Sequence, residues 1–576
     1  MHIQLESIRC VAAADLNNDG KQEIIATDYT DGGHVHVFAP VGVDSFELVW
    51  SSPKVDVQVD NSSPRNVIIA DLDNDGLKEI IFDSNRNGIY IYEWDGVSGS
   101  YNFGTTYSQL INENNCSGFT VTAGVDFYTE KMSVADLYGD GRQELIVSLR
   151  STTTAEQKYM IISAVGNWDV NDPGFSSFTM DYVGARPDLG PWGLGGGSAT
   201  AMVAANLDGT GPKEVILHAY NYGDVSVLRY DGTKWVLPDT STHKQNLYLY
   251  NTDGVSYFGG FAYDIDKDGR DEVYLPTNVS SDTTKLGKVV GICYDSSSTP
   301  TQIDSTNTFE IDFSKITKTS LWGYGYGDID GNGKPNLYFT TAELGHAILS
   351  AEFEGGDKKN PDNWQTSVLY NGDSTAYSMT IKDSLGHADT SVVYDTYFPS
   401  KIFAQGTDVD GDGKEDIVAG YQPWLYAGTR DSIAVTTLTW NSSLSKFDSS
   451  TATVYNPTRY SFVMLEKSTS TGVEAHNITF ITPNDYQLDQ NFPNPFNPTT
   501  TISFTLPLNK KITLAVYDML GREVRTLINN EEYAKGKHSV TWDGKNNVGH
   551  AVASGTYIYR MKFGNFEQSK KMLLLK

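Results

Sequence analysis

The side chains best placed to do chemistry are carboxylates. Seven nine-residue stretches follow the pattern D-x-D-x-D-G-x-x-E/D, with glycine sixth in every copy. The first sets Asp15, Asn17, Asp19 and Glu23 at positions 1, 3, 5 and 9, and the second sets Asp71, Asp73, Asp75 and Glu79 there. The third offers Asp136, Asp140 and Glu144 but has Tyr138 at position 3; the fourth offers Asn206, Asp208 and Glu214 but has Thr210 at position 5. The fifth repeats the full set with Asp264, Asp266, Asp268 and Glu272. The sixth has Asp328, Asp330, Asn332 and Asn336, and the seventh Asp408, Asp410, Asp412 and Asp416. Calcium is a hard cation that takes six to eight oxygens, and a tight loop with acids at alternate positions points them at one ion. Glycine at position 6 allows the sharp turn, position 7 can add its carbonyl, and the ninth residue closes the site earlier than the twelfth-position glutamate of an EF-hand does.

The plain alternative is a set of Asp/Asn/Gly hairpin turns whose side chains bond only to their own backbone. Against it stand seven copies in phase, an acid at position 9 that a turn does not require, and like-charge crowding at Asp71, Asp73, Asp75 and Glu79 that an ion would relieve. Up to seven calcium ions are expected, held most tightly at the Asp71 and Asp408 loops and weakly at the Asp136 and Asn206 loops, with Asn206 the weakest.

The elements around the loops are strands. Each loop follows small and apolar residues, such as Val11–Ala14 or Val67–Ala70, and runs into a short β-branched or aromatic stretch, such as Ile24–Ala26, Ile80–Phe82 or Leu337–Phe339. Further alternating stretches at His34–Phe38, Phe46–Trp50 and Ile89–Tyr92 bring the count to about four strands per repeat. The loops start 56 to 80 residues apart, which suits a four-stranded blade and is long for an open solenoid. The expected fold class is all-β: a seven-bladed β-propeller over residues 1–466, a linker over 467–489, and an immunoglobulin-like β-sandwich over 490–576. The sandwich is read from alternating runs at Thr501–Leu506, Ile512–Tyr517, Ser539–Trp542 and Tyr557–Met561, with turns at Leu520–Arg522 and Asp543–Gly544.

Composition agrees and excludes some partners. Aromatic residues reach 12%, with 34 Tyr and 53 Gly, a balance that favours strands and tight turns. A formal charge of −29 gives no basic footprint for nucleic acid or an anionic membrane. Three cysteines, Cys10, Cys116 and Cys293, are too scattered for a disulfide framework and read as small strand residues. No apolar run is long enough for a transmembrane helix.

The loop motif, its spacing and the Gly/aromatic stretches Phe258–Phe261 and Trp322–Gly327 resemble the FG-GAP or VCBS repeats of integrin-α-type propellers. That resemblance implies the propeller fold and calcium in the loops. The C-terminal segment resembles the type A C-terminal sorting domain of the type IX secretion system of Bacteroidota. The residues that carry it are Asn491–Pro498, Val516–Val524, Trp542–Gly544, Ala553–Tyr557 and the ending Lys570–Lys576. It implies the type IX machinery as a partner, export across the outer membrane, a location outside the cell or on its surface, and removal of the domain. Such cargo carries an N-terminal signal peptide, whereas Met1–Ser7 has neither a basic start nor an apolar stretch, so a truncated or misassigned start is expected.

Catalytic signatures do not stand out. His34 and His36 share one face of a strand, but two histidines without a third ligand make a poor metal site. The unusual segments are Arg186–Gly197, rich in Gly and Pro, and an insertion around Asp357–Tyr397; both would suit contact with a sugar or peptide. The expectation is a binding or adhesion protein for an extracellular glycan or protein, not an enzyme. The alternatives are a lyase or glycosidase acting on polysaccharide, or the accessory propeller of a larger enzyme.

Overall fold

A computed structural model describes residues 8–28, 33–55, 64–84, 88–112, 128–150, 158–166, 177–185, 199–219, 225–237, 255–257, 259–279, 283–294, 303, 306–341, 347–371, 377–382, 388–393, 398–422, 432–441, 446–455, 462–467, 473–476, 479–481, 485–564 and 566–576. Arg186–Gly197 and Cys116 lie outside them. The described residues form strands and two short 3-10 turns, with no helix long and apolar enough to cross a membrane. The chain divides into a large unit within residues 5–478 and a small unit formed mainly by Thr479–Lys576.

In the large unit, each acidic loop joins the inner two strands of a blade. The inner strands are Ile8–Ala14, Val67–Ala70, Tyr128–Ala135, Ala199–Ala205, Phe261–Tyr263, Leu321–Gly327 and Phe398–Thr407. Each pairs antiparallel with the strand that leaves its loop. Each also touches the inner strand of the next blade, and Phe398–Thr407 touches Ile8–Ala14, which closes a ring of seven. Residues from all seven line a central cavity of about 760 Å³.

The residue types explain the ring. Inner strands crowd one another near the axis and are rich in short side chains, as at Ala12–Ala14, Ala204–Ala205, Gly323, Gly325 and Gly327. A Cβ on Gly325 would lie 2.6 Å from the Ala404 carbonyl oxygen, so glycine lets blades six and seven approach. On the opposite face of the same strand, Tyr324 stacks on Phe261 at 5.3 Å and Tyr326 on Tyr263 at 4.2 Å, filling the gap to blade five. The second strands are covered on both faces. Glu23–Asp28, Glu79–Ser84 and Asn336–Thr341 are buried throughout, and each Ile, Leu or Phe so placed contributes about 1.5–3 kcal/mol of burial.

The domain boundary differs from the sequence reading. Val473–His476 pairs antiparallel with Phe462–Lys467 as the outer strand of the seventh blade, so the blade does not end at 466. Residues 468–472, rich in Ser and Thr and read as part of the linker, lie outside the described residues between these two strands. At its other end, Tyr486 and Leu488 are buried in the core of the small unit. The small unit has a three-stranded sheet (Gln487–Leu488, Thr500–Leu506, Gly536–Trp542) and a four-stranded sheet (Glu523–Tyr533, Lys510–Tyr517, Gly555–Phe563, Phe566–Leu574), the immunoglobulin-like arrangement expected. The proline-rich run belongs to it. Asn491 donates to Pro493 O and Thr500 Oγ1, its backbone N–H donates to Tyr559 Oη, and Phe496 is buried in the core.

Candidate metal centres

All seven loops share one backbone. The residue at position 9 begins the outgoing strand and pairs with the residue just before position 1: Ala14 with Glu23, Ala70 with Glu79, Ala135 with Glu144, Ala205 with Glu214, Tyr263 with Glu272, Gly327 with Asn336 and Thr407 with Asp416. Position 2, from Leu16 to Val409, is an apolar side chain buried beneath the turn. Positions 4 and 6 are left-handed in every copy, with φ of 61° at Asn74 and 91° at Gly76 in the second. The glycine at position 6 was legible in the sequence; the Asn/Gly preference at position 4 carries the same signal and was missed.

The acid at position 9 has a structural task that the sequence reading denied it. Its carboxylate accepts the buried backbone N–H of position 2 in six loops, at 2.7–3.1 Å. In the sixth loop Asn336 donates to Ser350 Oγ instead, and Tyr338 Oη accepts the Ile329 N–H. An acid at position 9 therefore does not by itself argue for an ion. Likewise, in loops one, two, three, five and six position 1 accepts the N–H groups of positions 5 and 6, as Asp71 does from Asp75 and Gly76. Position 5 accepts that of position 7 in every loop but the fourth, whose position 7 is Pro212. The hairpin-turn bonding is present.

What separates the loops is the other oxygen of the ninth acid. In the second loop Glu79 Oε1 is buried with no hydrogen-bond partner, and in the seventh Asp416 Oδ1 is likewise. In the first loop Glu23 Oε1 accepts from Tyr101 Oη at 3.1 Å, and in the fifth Glu272 Oε1 meets Lys358 Nζ at 2.6 Å. Among the described residues, three carboxylate groups converge, each offering oxygens within 4.8 Å of one another: Asp71, Asp73 and Glu79; Asp264, Asp266 and Glu272; Asp408, Asp410 and Asp416.

Among the described residues, the acids of the other four loops form no such triad of carboxylates. Asn17 Oδ1 accepts the Asp19 N–H, and the first loop has no acid at position 3. Tyr138 turns away to Asp181 and Trp235, which leaves Asp136, Asp140 and Glu144 without a third-position ligand. Asp208 accepts from Thr210, and the backbone of Asn206 donates to Asp271 of the next blade. Asp330 Oδ2 and Glu352 both accept from Asn332. Asp75, Asp268 and Asp412 brace position 7 and do not join the triads.

Electrostatics are unfavourable for a bare carboxylate at position 9 in all six loops that have one there. Burial pushes the carboxyls of Glu23, Glu144, Glu214 and Glu272 up to about 7, that of Asp416 up to about 8, and that of Glu79 well above the usual carboxylate range. Like-charge repulsion from neighbouring acids adds to this in all six of these loops, and in the fifth the Lys358 ammonium opposes it. An all-oxygen, high-charge triad with one buried oxygen unpartnered fits a hard divalent cation, for which Asp71, Asp73 and Glu79, or Asp408, Asp410 and Asp416, would be the ligands. His34 and His36 do not form a comparable site: their Nδ1 atoms bond Ser52 O and Ser51 Oγ, and burial lowers the His36 ring to about 3.

Fold and loops together define a seven-bladed propeller with acidic hairpin loops, followed by an immunoglobulin-like domain. The FG-GAP-like repeat family matches residues 15–82, from the first loop through the strand that leaves the second, and the FlgD Ig-like domain family matches residues 494–565. No curated protein matches the chain. Among solved structures, BBS1N in complex with ARL6DN is similar at 10% identity and a TM-score of 0.39, over 72% of this chain and 89% of that one. PorZ of Porphyromonas gingivalis, a surface component of the type IX secretion system, is similar at 13% and 0.27, over 96% and 74%. The exo-β-1,3-galactanase of Phanerochaete chrysosporium is similar at 10% and 0.27, over 80% and 98%. The propeller rests on the closed ring of inner strands, not on these likenesses.

Proposed function

We propose that the chain is an extracellular or outer-surface calcium-binding propeller that holds a glycan or protein ligand, and that its C-terminal domain addresses it to the type IX secretion machinery. The observation that carries the calcium reading is the pair of unpartnered buried oxygens, Glu79 Oε1 and Asp416 Oδ1, each set among two further carboxylates. Calcium supplies the counter-charge there and ties each loop to the strand it opens. The ions act on stability and on the shape of the loop face, so their acids are committed to structure and ligand contact falls to other residues. The sorting role is supported by the resemblance of Asn491–Lys576, whose Asn491 donates to Thr500 Oγ1 and whose Phe496 is buried in the sandwich core.

The test has two arms. Recombinant propeller is screened on a glycan array with calcium and with chelator, beside an assay for new reducing ends and unsaturated products. Calcium-dependent binding without product is expected; turnover abolished by substituting one carboxylate outside the seven loops would replace adhesion with catalysis. Mass spectrometry of the exported protein is expected to show a C-terminus upstream of Asn491, and recovery of an intact Lys576 end would overturn the sorting role.

A further inference from the structure

The fifth loop has the same acids as the second and brings them together as closely, yet its centre is not vacant. Lys358 Nζ lies 2.6 Å from Glu272 Oε1, 2.7 Å from Asp266 Oδ2 and 3.8 Å from Asp268 Oδ2. Its side chain is only 7% exposed. The oxygen it takes on Glu272 is the counterpart of the one left unpartnered on Glu79 and on Asp416. We infer that the fifth loop carries a built-in counter-ion, the Lys358 ammonium, where loops two and seven take a divalent cation, and that removing this amine opens a further divalent-cation site. The inference rests on the calcium reading of those two loops.

The lysine is placed by its own turn. Lys358 comes from the segment that reads in the sequence as an insertion after the sixth loop. Its carbonyl accepts from Trp364 Nε1 at 2.9 Å, and Trp364 is wedged among Phe353, Phe309 and Tyr274. Asp357 Oδ1 accepts the Lys359 N–H, and Asn363 donates to the Asp357 carbonyl, which fixes the turn on both sides. A pinned backbone makes the amine a standing occupant instead of a passing surface partner.

Other loop lysines behave differently. Lys334 reaches Glu352 and Glu354, away from its own loop, and Lys414 bridges Asp412 and Glu466 without touching Asp408, Asp410 or Asp416. Only an amine inside the triad competes with an ion for the same oxygens. A divalent cation offers twice the charge and more ligand directions, but it must displace a tethered group present at high effective concentration.

Calcium bound per chain, counted by equilibrium dialysis, tests this in the full chain and four variants. Lys358→Gln is expected to bind one ion more than the wild type, with Lys358→Met, which keeps the aliphatic stem, as a second route to the same gain. Lys358→Gln combined with Asp266→Asn should lose it again, and Glu272→Gln alone should leave the wild-type count unchanged. No gain in either lysine variant, or a drop of one ion in Glu272→Gln, overturns the inference. A wild type with no calcium overturns the reading of loops two and seven; a gain of one ion in Lys358→Gln would then still support the built-in counter-ion, and no gain would sink both.

Discussion

Glu79→Gln is expected to change the sign of its effect with calcium. The glutamine oxygen can still accept the Leu72 N–H that Glu79 Oε2 accepts at 2.9 Å, so the turn keeps its buried hydrogen bond. In chelator the substitution removes a carboxylate that is buried beside Asp71 and Asp73, and the variant should melt higher than the wild type. Because folding raises this carboxyl above its unfolded value, its contribution to stability is fully present below about pH 4.5 and is lost as pH rises. The advantage of glutamine in chelator therefore grows from acid toward neutral pH. With calcium the order reverses. Losing one site costs about 2.7 kcal/mol when free calcium exceeds the dissociation constant a hundredfold, since binding stabilises the folded state by mass action. Glu79→Ala should be destabilised in both conditions, because it also strands the Leu72 N–H. Thermal melts of the three proteins with calcium and with chelator check this, and a glutamine variant that melts below the wild type in both would contradict it.

The second large effect is expected in the C-terminal domain. Trp542 is fully buried, its Nε1 donates to Lys545 O at 2.9 Å, and its ring meets Phe496 at 5.6 Å and Tyr557 edge-on at 5.3 Å. Trp542→Ala should cost about 3–5 kcal/mol, much of what a domain of this size has. Hydrogen exchange at Thr500–Leu506 and Gly536–Trp542 would rise by orders of magnitude, while protection unchanged from the wild type would show that the residue is not the keystone its burial implies. Because Phe496 belongs to the proline-rich run, the same substitution should release that run from the sandwich.

The repeat was legible because its information is local. Seven loops in phase, small residues ahead of them and apolar strands behind them fix the hairpin, and the hairpin fixes the blade. The C-terminal sandwich was legible for the same reason, from alternating runs and Gly-containing turns. What the sequence hid is contact between distant residues. Nothing near Glu23 announces Tyr101, and nothing near Glu272 announces Lys358, although these two partners distinguish loops that look alike in sequence. The hydrogen bond from position 2 to position 9 was hidden by another route. It satisfies a buried backbone group, and backbone demand leaves no mark beyond the acid already credited to metal binding. The last strand of the seventh blade was missed because Val473–His476 is short and follows a Ser/Thr-rich sequence that has the composition of a linker.

Folded loops that hold calcium should keep it through dialysis. Metal content after dialysis in buffered calcium, taken together with the melting midpoint in calcium and in chelator, tests this most directly. At least two ions per chain are expected, with a midpoint that falls when they are removed. Less than one ion per chain with an unchanged midpoint would contradict this, and would leave the seven acidic stretches as hairpin turns held by their own hydrogen bonds.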